Sequence, residues 1–465
     1  MKWWKIHSLA LLFLWAVPSF ASSICAQAVV AAPFEVGGDW EGTGLSKEIF
    51  EKWLQALPNS PVGERVAQAA ISHLAGWSEW EIAQAINAGL KERTPHDRLE
   101  PAAAEKRSDT PQKRIGLGIE YSFYRNIIVI ERVVEDSPAA HQGLKLGDQI
   151  EQFEEWAVSQ HGVRKTAMQI SVSDYSENKP VKLVVRRGQQ LLNFELTPRS
   201  YVPHPDMRIG MLQPGRDLVG VITLHNFRCT SVEREFARGL DAFRKAKVDG
   251  LILDLRGNPG GRLDVARKLA GYFLGKKKLV ISEEPLVAGA RPADHFTDAQ
   301  SRIQVPMLIL VDYASASAAE LLAGVLQFYQ VAYLVGTPTY GKGSIQSSDT
   351  PESSVFEGLP VTLYATRALY YLPCGRTPQH RGLLPDFEVQ QPFPTRAQYL
   401  PREQELRNSV AVPPPWDPGL APDPLRDWLR NSPRTPRMQL PDGDIQKEVA
   451  LKILSEWIAL NKLGR

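Results

Sequence analysis

Residues 306–346, "PMLILVDYASASAAELLAGVLQFYQVAYLVGTPTYGKGSIQ", decide the fold. "PMLILVD" is an apolar run of strand length, as expected of a strand covered on both faces. "AAELLAGVLQFYQ" reads as an amphipathic helix and "VAYLVG" as a second buried strand. Strand, helix and strand at this spacing form a βαβ crossover, whose strands are parallel. The alternation extends upstream to about residue 205 through "LVGVITL", "VEREFARGLDAFRKA", "GLILDL" and "LDVARKLAGYFL". The expected core is therefore an α/β sheet with a parallel centre. Sites in such sheets lie beyond the carboxyl ends of the strands. Three polar stretches fall there, "RGNPGG", "YASASAAE" and "TPTYGKGS", and are expected to share one rim.

Gly336, Gly341 and Lys342 imitate a phosphate-binding loop. Such a loop needs Ser or Thr after its lysine and must run into a helix. Gly343 follows instead, and "SIQSSDTPESS" reads as strand and loop, so a nucleotide site is disfavoured. Ser317 and Glu320 fit a capping box. The same placement exposes the Ser317 hydroxyl at a helix start, where the free N–H of Ala318 can donate to an oxyanion. No histidine is near in sequence to serve as base. Lys342 returns to the same rim after the next strand and can serve if burial makes its neutral form accessible near pH 7. Gln346 is placed to orient that amine. Gly260 and Gly261 let backbone approach a substrate carbonyl and supply the second oxyanion N–H. Taken singly, a cap and a βα turn explain these stretches; together they describe a nucleophile, a base and an oxyanion site.

The other segments set the context. The start, "MKWWKIHSLALLFLWAVPSFASSICAQA", carries Lys2 and Lys5, an apolar run from Leu9 to Val17 and an Ala26-Gln27-Ala28 pattern. It reads as a signal peptide over 1–28, cleaved after Ala28, directing the chain to the periplasm or another extracytoplasmic compartment. The apolar run is short for a span of about 20 residues. Its loss removes two lysines and no acid, taking the formal charge from +2 to zero. With 23% charged residues and no basic excess, nucleic acid is not an expected partner. Cys25, Cys229 and Cys374 are too few for a disulfide framework, and whether Cys229 and Cys374 pair is left open. No CxxC or HExxH is present, so neither metal nor cofactor is expected. Residues 29–112 read as a helical region, with a Ser78–Glu81 capping box, followed by a linker "TPHDRLEPAAAEKRSDTPQK".

From 113 to 200 short alternating strands dominate, "NIIVIERVV", "DQIEQF", "VKLVVRR" and "LLNFELTP". With Gly116-Leu117-Gly118 and "SPAAHQGLKLGDQI" (137–150), this segment resembles a PDZ domain of the bacterial protease-associated kind. The loop can offer backbone N–H groups to a terminal carboxylate, and the strand edge at Ile119 can accept an extended peptide. Gly116, Leu117, Gly118 and Ile119 are thus the expected tail-binding residues.

Four ordered motifs, "DLRGNPGG" (254–261), "SASAAELLAG" (315–324), "VGTPTYGKGSIQ" (335–346) and "GRTPQHRGLLPD" (375–386), resemble the C-terminal processing peptidases, or tail-specific proteases. The resemblance spans roughly 113–390. It implies a Ser–Lys dyad helped by a Gln, falling on Ser317, Lys342 and Gln346. The family pattern usually reads SASASE, and Ala319 here replaces the last serine. The implied architecture is multidomain α/β, with an N-terminal helical region, the PDZ domain, a serine peptidase core over 201–390 with βαβ crossovers, a Pro-rich insert over 391–440 and a C-terminal helix over 441–465. The implied protein is an exported endopeptidase acting on proteins or peptides with apolar C-terminal tails. An adaptor protein and a homo-oligomer stay open. The alternative is a non-catalytic PDZ scaffold that keeps a peptidase fold.

Overall fold

A computed structural model describes residues 94–101, 114–201, 207–349, 361–390, 401–412, 422–431 and 444–463, short gaps within them aside, and scattered helical positions between 82 and 91. The signal segment, the Ser78–Glu81 box, Cys229 and the "PPPWDPGL" run lie outside the described residues. Cys374 is a free thiol. At the helical positions, Ile82, Ala83, Ile86 and Leu90 are all buried, the stripe expected of an amphipathic helix.

The first strand, β1 (Arg98–Pro101), corrects the reading of its stretch as a linker. It pairs antiparallel with residues 361–364, a partner so distant in sequence that local composition carries no trace of the pairing. The PDZ sheet follows in the order β2 (Ile119–Tyr124), β3 (Ile127–Val133), β4 (Gln149–Phe153), β5 (Val181–Arg187) and β6 (Gln190–Leu196), with helix α1 (Val163–Val172) between β4 and β5 in sequence. The last four of these strands match the alternating segments of the sequence, and β2 begins at the strand edge expected at Ile119. Ile128, Ile130, Ile150, Leu183, Val185 and Leu196 turn to one core, joined by Ala167 and Ile170 of α1.

The main sheet has the order β7 (Met207–Leu212), β8 (Val219–Leu224), β9 (Gly250–Asp254), β12 (Met307–Val311), β13 (Tyr333–Gly336) and β16 (Phe387–Glu388). Only the β7–β8 pairing is antiparallel. Leu251, Leu253 and Ile309 face helices α2 (Ser231–Ala246), α3 (Leu263–Leu274) and α4 (Ala318–Phe328). Ile252, Leu308 and Leu310 face the opposite side, against Leu451, Leu454 and Trp457 of the last helix, α6 (Ile445–Leu463). Both faces are covered, which is why these strands read as unbroken apolar runs. Each such side chain contributes about 1.5–3 kcal/mol on burial.

A second, antiparallel sheet joins β1, β15 (Val361–Tyr371), β10 (Leu279–Pro285) and β11 (Ala293–Phe296), with β14 (Ser344–Asp349) also on β15. The Pro-rich insert is not a separate appendage. It contains a short 3₁₀ turn, Glu403–Glu405, and helix α5 (Pro424–Asn431). Leu429 is buried in the core beneath the main sheet, Arg426 pairs with buried Asp386 at 3.3 Å, and Tyr333 Oη donates to Asp423 at 2.8 Å. Prolines around these short elements mask their apolar spacing in the sequence.

Candidate active site

The parallel register brings the three polar stretches to one rim. Asp254 is level with Leu310, and Val311 with Gly336, so the chain leaves β9, β12 and β13 at the same end of the sheet. Asn258, fully buried, knits the first two loops together. Its carbonyl accepts the N–H of Ala316 at 2.9 Å, and its side-chain amide donates to the Leu224 carbonyl at 2.8 Å. Ser315 Oγ donates to the Leu255 carbonyl at 2.8 Å. Of the two serines, Ser315 is thus structural.

Ser317 heads α4 with φ 55° and ψ −115°. A non-glycine residue in such a conformation costs on the order of 1–3 kcal/mol and persists only where its surroundings impose it. Here the Glu320 carboxylate accepts the Ser317 N–H at 2.9 Å, while Tyr370 Oη donates to the Ser317 carbonyl at 3.1 Å. Ser317 and Glu320 make the S-x-x-E capping box, and the Ser317 hydroxyl proton is donated to no partner among the described residues. The tight strand-to-helix turn therefore presents a serine whose proton is uncommitted.

Glu320, read in the sequence only as a cap, organises more than the helix start. Its Oε1 accepts from Thr339 Oγ1 at 2.5 Å and Gly341 N at 2.8 Å; its Oε2 accepts from Ser317 N and, at 2.8 Å, from Lys342 N. Ser317 and Lys342 thus hang from one oxygen atom, and their backbone nitrogens are no farther apart than 2.9 plus 2.8 Å. Burial pushes this carboxyl up to about 7, against the pull of its four donors.

Lys342 Nζ donates to Gln346 Oε1 at 2.5 Å and to the Ser344 carbonyl at 3.4 Å, with no hydrogen bond to Ser317 Oγ. Desolvation lowers its pKa to about 8; Glu403 opposes the fall, Arg98 adds to it and Glu320 opposes it. A neutral amine has two N–H donors and one lone pair. With both donors directed at oxygens, the lone pair is left for an incoming proton. Beyond Lys342 the chain enters β14, a strand, so no helix dipole is available for the phosphate-loop reading.

The expected oxyanion donors divide. Ala318 N–H opens the helix with no acceptor among the described residues. Gly260 N–H is already donated to Asn258 Oδ1 at 2.8 Å, which corrects its expected role. Gly260 is instead a spacer: with φ +94°, a Cβ there would lie 2.7 Å from the Ala316 carbonyl oxygen and 2.8 Å from Ser317 Cβ. Gly261 N–H is not used by the Phe227–Gly261 bridge, whose bonds are Phe227 N to Gly260 O and Arg262 N to Phe227 O, both 2.9 Å.

In the PDZ sheet, β2 is an outer strand with β3 as its neighbour, and Tyr121 Oη ties it to the Ala167 carbonyl of α1 at 2.8 Å. The Leu117 and Gly118 carbonyls are occupied by Ala139 N and Val134 N, at 3.0 and 2.8 Å. Gly118 has φ +77°, and a Cβ there would overlap Ser137, so this turn requires glycine. Gly116 lies in a strand paired with residue 199, and Ile119 opens β2.

Two family profiles fall on the two units just described. The PDZ domain profile matches residues 115–197, and the Peptidase family S41 profile matches residues 218–389. The carboxy-terminal-processing protease of Bartonella bacilliformis is 29% identical over 335 residues, covering 68% of this chain and 71% of that protein. The carboxyl-terminal-processing protease of Synechocystis sp. is 30% identical over 322 residues, covering 64% and 69%. The solved photosystem II D1 C-terminal processing protease superposes with a TM-score of 0.49 at 20% identity, over 74% of this chain and 94% of that one. A PDZ domain ahead of an α/β peptidase core defines a serine-type peptidase. The chain belongs to peptidase family S41, among the carboxyl-terminal-processing proteases.

Proposed function

We propose that this peptidase is an exported endopeptidase that captures apolar C-terminal tails of protein substrates on its PDZ domain and cuts a nearby peptide bond with Ser317 and Lys342. The observation that carries the reading is the shared Glu320 oxygen, which holds the loops of a serine with an uncommitted proton and a desolvated lysine side by side. Neutral Lys342 takes the Ser317 proton as Oγ attacks the carbonyl carbon. The Ala318 and Gly261 N–H groups receive the oxyanion. The lysine, now ammonium, returns its proton to the leaving amine as the C–N bond breaks, and water releases the acyl group by the same base. In the resting arrangement Lys342 is held by Gln346 and Ser344, and the bond to Ser317 forms when substrate is seated; catalytic contacts commonly tighten in this way. The segment ending at Ala28 supplies the export.

The wild-type kcat/KM is expected to rise with pH through about 8 and then level, because the base is inactive as ammonium and its pKa is lowered to that region. A profile flat from pH 6 to 9 would remove Lys342 as the titrating base. Gln346→Ala is expected to reduce kcat without abolishing it, since Gln346 orients the Lys342 amine but itself neither gives nor takes the transferred proton.

Tail capture follows from the outer position of β2 and the N–H groups of Leu117 and Gly118, which have no acceptor among the described residues. A substrate with a free apolar C-terminus is expected to be cut with a higher kcat/KM than the same chain amidated. Equal values would take the PDZ domain out of substrate selection.

A further inference from the structure

Two stretches to which the sequence assigns no chemistry meet at the base. Glu403, from the Pro-rich insert, is fully buried. Its Oε2 bonds His96 Nε2 at 2.6 Å, and its Oε1 accepts from Gln379 Nε2 at 2.9 Å and Ser409 Oγ at 2.8 Å. The Gln379 Oε1 in turn accepts the N–H of Gly343, next to Lys342, at 2.7 Å. On the other side, Gln346 Nε2 donates to Thr366 Oγ1 at 3.2 Å, and that hydroxyl bonds Thr94 Oγ1 at 2.9 Å. Asp97 Oδ1 closes this arm by accepting Thr94 Oγ1 and Thr366 N, both at 2.7 Å. A turn at 94–97 and another at 403–405 thus grip the lysine loop from two directions.

A buried carboxylate is costly unless it is paired and fully bonded. Burial alone would raise the Glu403 pKa, but the bonds from His96, Ser409 and Gln379 outweigh it and hold the carboxyl below its ordinary value, so it stays charged at neutral pH. Burial and the nearby Lys342 lower His96, against Glu403, so the imidazole is neutral there.

We infer that Glu403 is a positioning residue for the reaction: through Gln379 and Gly343 it fixes the loop that bears Lys342, and as a carboxylate it is an acidic neighbour of the amine. The inference rests on reading Lys342 as the base. The other groups that act on the amine are Arg98 of β1 and Glu320 of α4, with His96 from the turn before β1. Arg98 opposes the ammonium, so Glu403 is the counterweight on that side.

The test is the pH profile of kcat/KM for the full-length enzyme on a tailed peptide. Glu403→Gln keeps the shape and can still accept from Gln379 and Ser409 and donate to neutral His96. Its rising limb is expected to move to lower pH by about one unit, since the ammonium loses an anionic neighbour. Glu403→Asp keeps the charge, so its limb is expected to stay while kcat falls. Gln379→Ala breaks the link to Gly343 and is expected to lower kcat about tenfold with the limb in place. A limb unmoved in folded Glu403→Gln, or wild-type kcat in folded Gln379→Ala, would overturn the inference. Should Glu403→Gln fail to fold, a limb displaced in Glu403→Asp would overturn it as well. Lys342→Ala separates the two levels: cleavage by that variant sinks the base assignment itself, whereas an inactive Lys342→Ala with an unmoved Glu403→Gln limb sinks only the role of Glu403.

Discussion

Purified Lys342→Arg is expected to fold and to leave tailed substrates uncut. Guanidinium keeps the positive charge but does not deprotonate in the working range, so it cannot accept the Ser317 proton. Ser317→Ala and Lys342→Ala are expected to lose about 10⁴-fold or more in kcat, and the double variant little beyond either, because groups acting as one unit are not additive. Folding should survive. The Lys342 and Ser317 N–H groups that bind Glu320 are backbone and survive both substitutions. The decisive measurement is turnover by Lys342→Arg, with circular dichroism as the folding check. Substantial cleavage would overturn the dyad and direct attention to His96, whose imidazole is already paired to Glu403. An inactive, folded wild type would instead leave the non-catalytic scaffold.

The second large effect is expected at Gly260. A Cβ there meets Ala316 O, Ser317 Cβ and Ala318 N, all within 2.9 Å. Two of these atoms are backbone and cannot swing aside as the end of a flexible side chain would. The φ of +94° is also one that L residues rarely adopt. Gly260→Val must therefore push the nucleophile turn away or distort its own loop, and it is expected to cost at least about 10²-fold in kcat, with a loss of about 1–3 kcal/mol in stability. Gly257, with no neighbour within 4 Å of its would-be Cβ, is the control; its φ is also positive, so Gly257→Asn should be tolerated. Full activity in folded Gly260→Val would show that the close approach to Ser317 is unimportant to the chemistry.

The rim was legible because its motifs interrupt apolar strands: glycine pairs and serines directly after "GLILDL" and "PMLILVD" are local signals, and the parallel register carries them to one edge. Glu320 was half legible. The S-x-x-E spacing announces the bond to Ser317 N–H, but three of its four donors come from residues 339–342, and their approach depends on how β13 packs beside β12. Glu403, His96 and β1 were not legible at all. Each is a single polar residue or a four-residue strand whose meaning lies in a partner hundreds of positions away, and neither periodicity nor composition records such a pairing. Gly260 was assigned the right neighbourhood and the wrong task, because a glycine pair looks the same whether it donates its N–H or merely makes room.

One fastening at the base of the rim bears on when the enzyme becomes competent during its own synthesis. Arg256, in the loop that leads to Gly260, is clasped by Asp254 and Asp444, with Nη2 2.6 Å from each, and Nη1 also reaches Gln446 at 3.2 Å. Asp254 is beside it in the chain, but Asp444 and Gln446 open the last helix, far downstream of Ser317. Translation proceeds from the N-terminus, so a chain still on the ribosome has its serine, its lysine and its glycine loop well before the second half of this clasp emerges. Until then Arg256 lacks its distal partners, and of this clasp only Asp254 is in place. Synthesis thus acts as a timer for this one fastening: a chain stopped short of Asp444 carries the glycine loop beside Ser317 without its distal clasp.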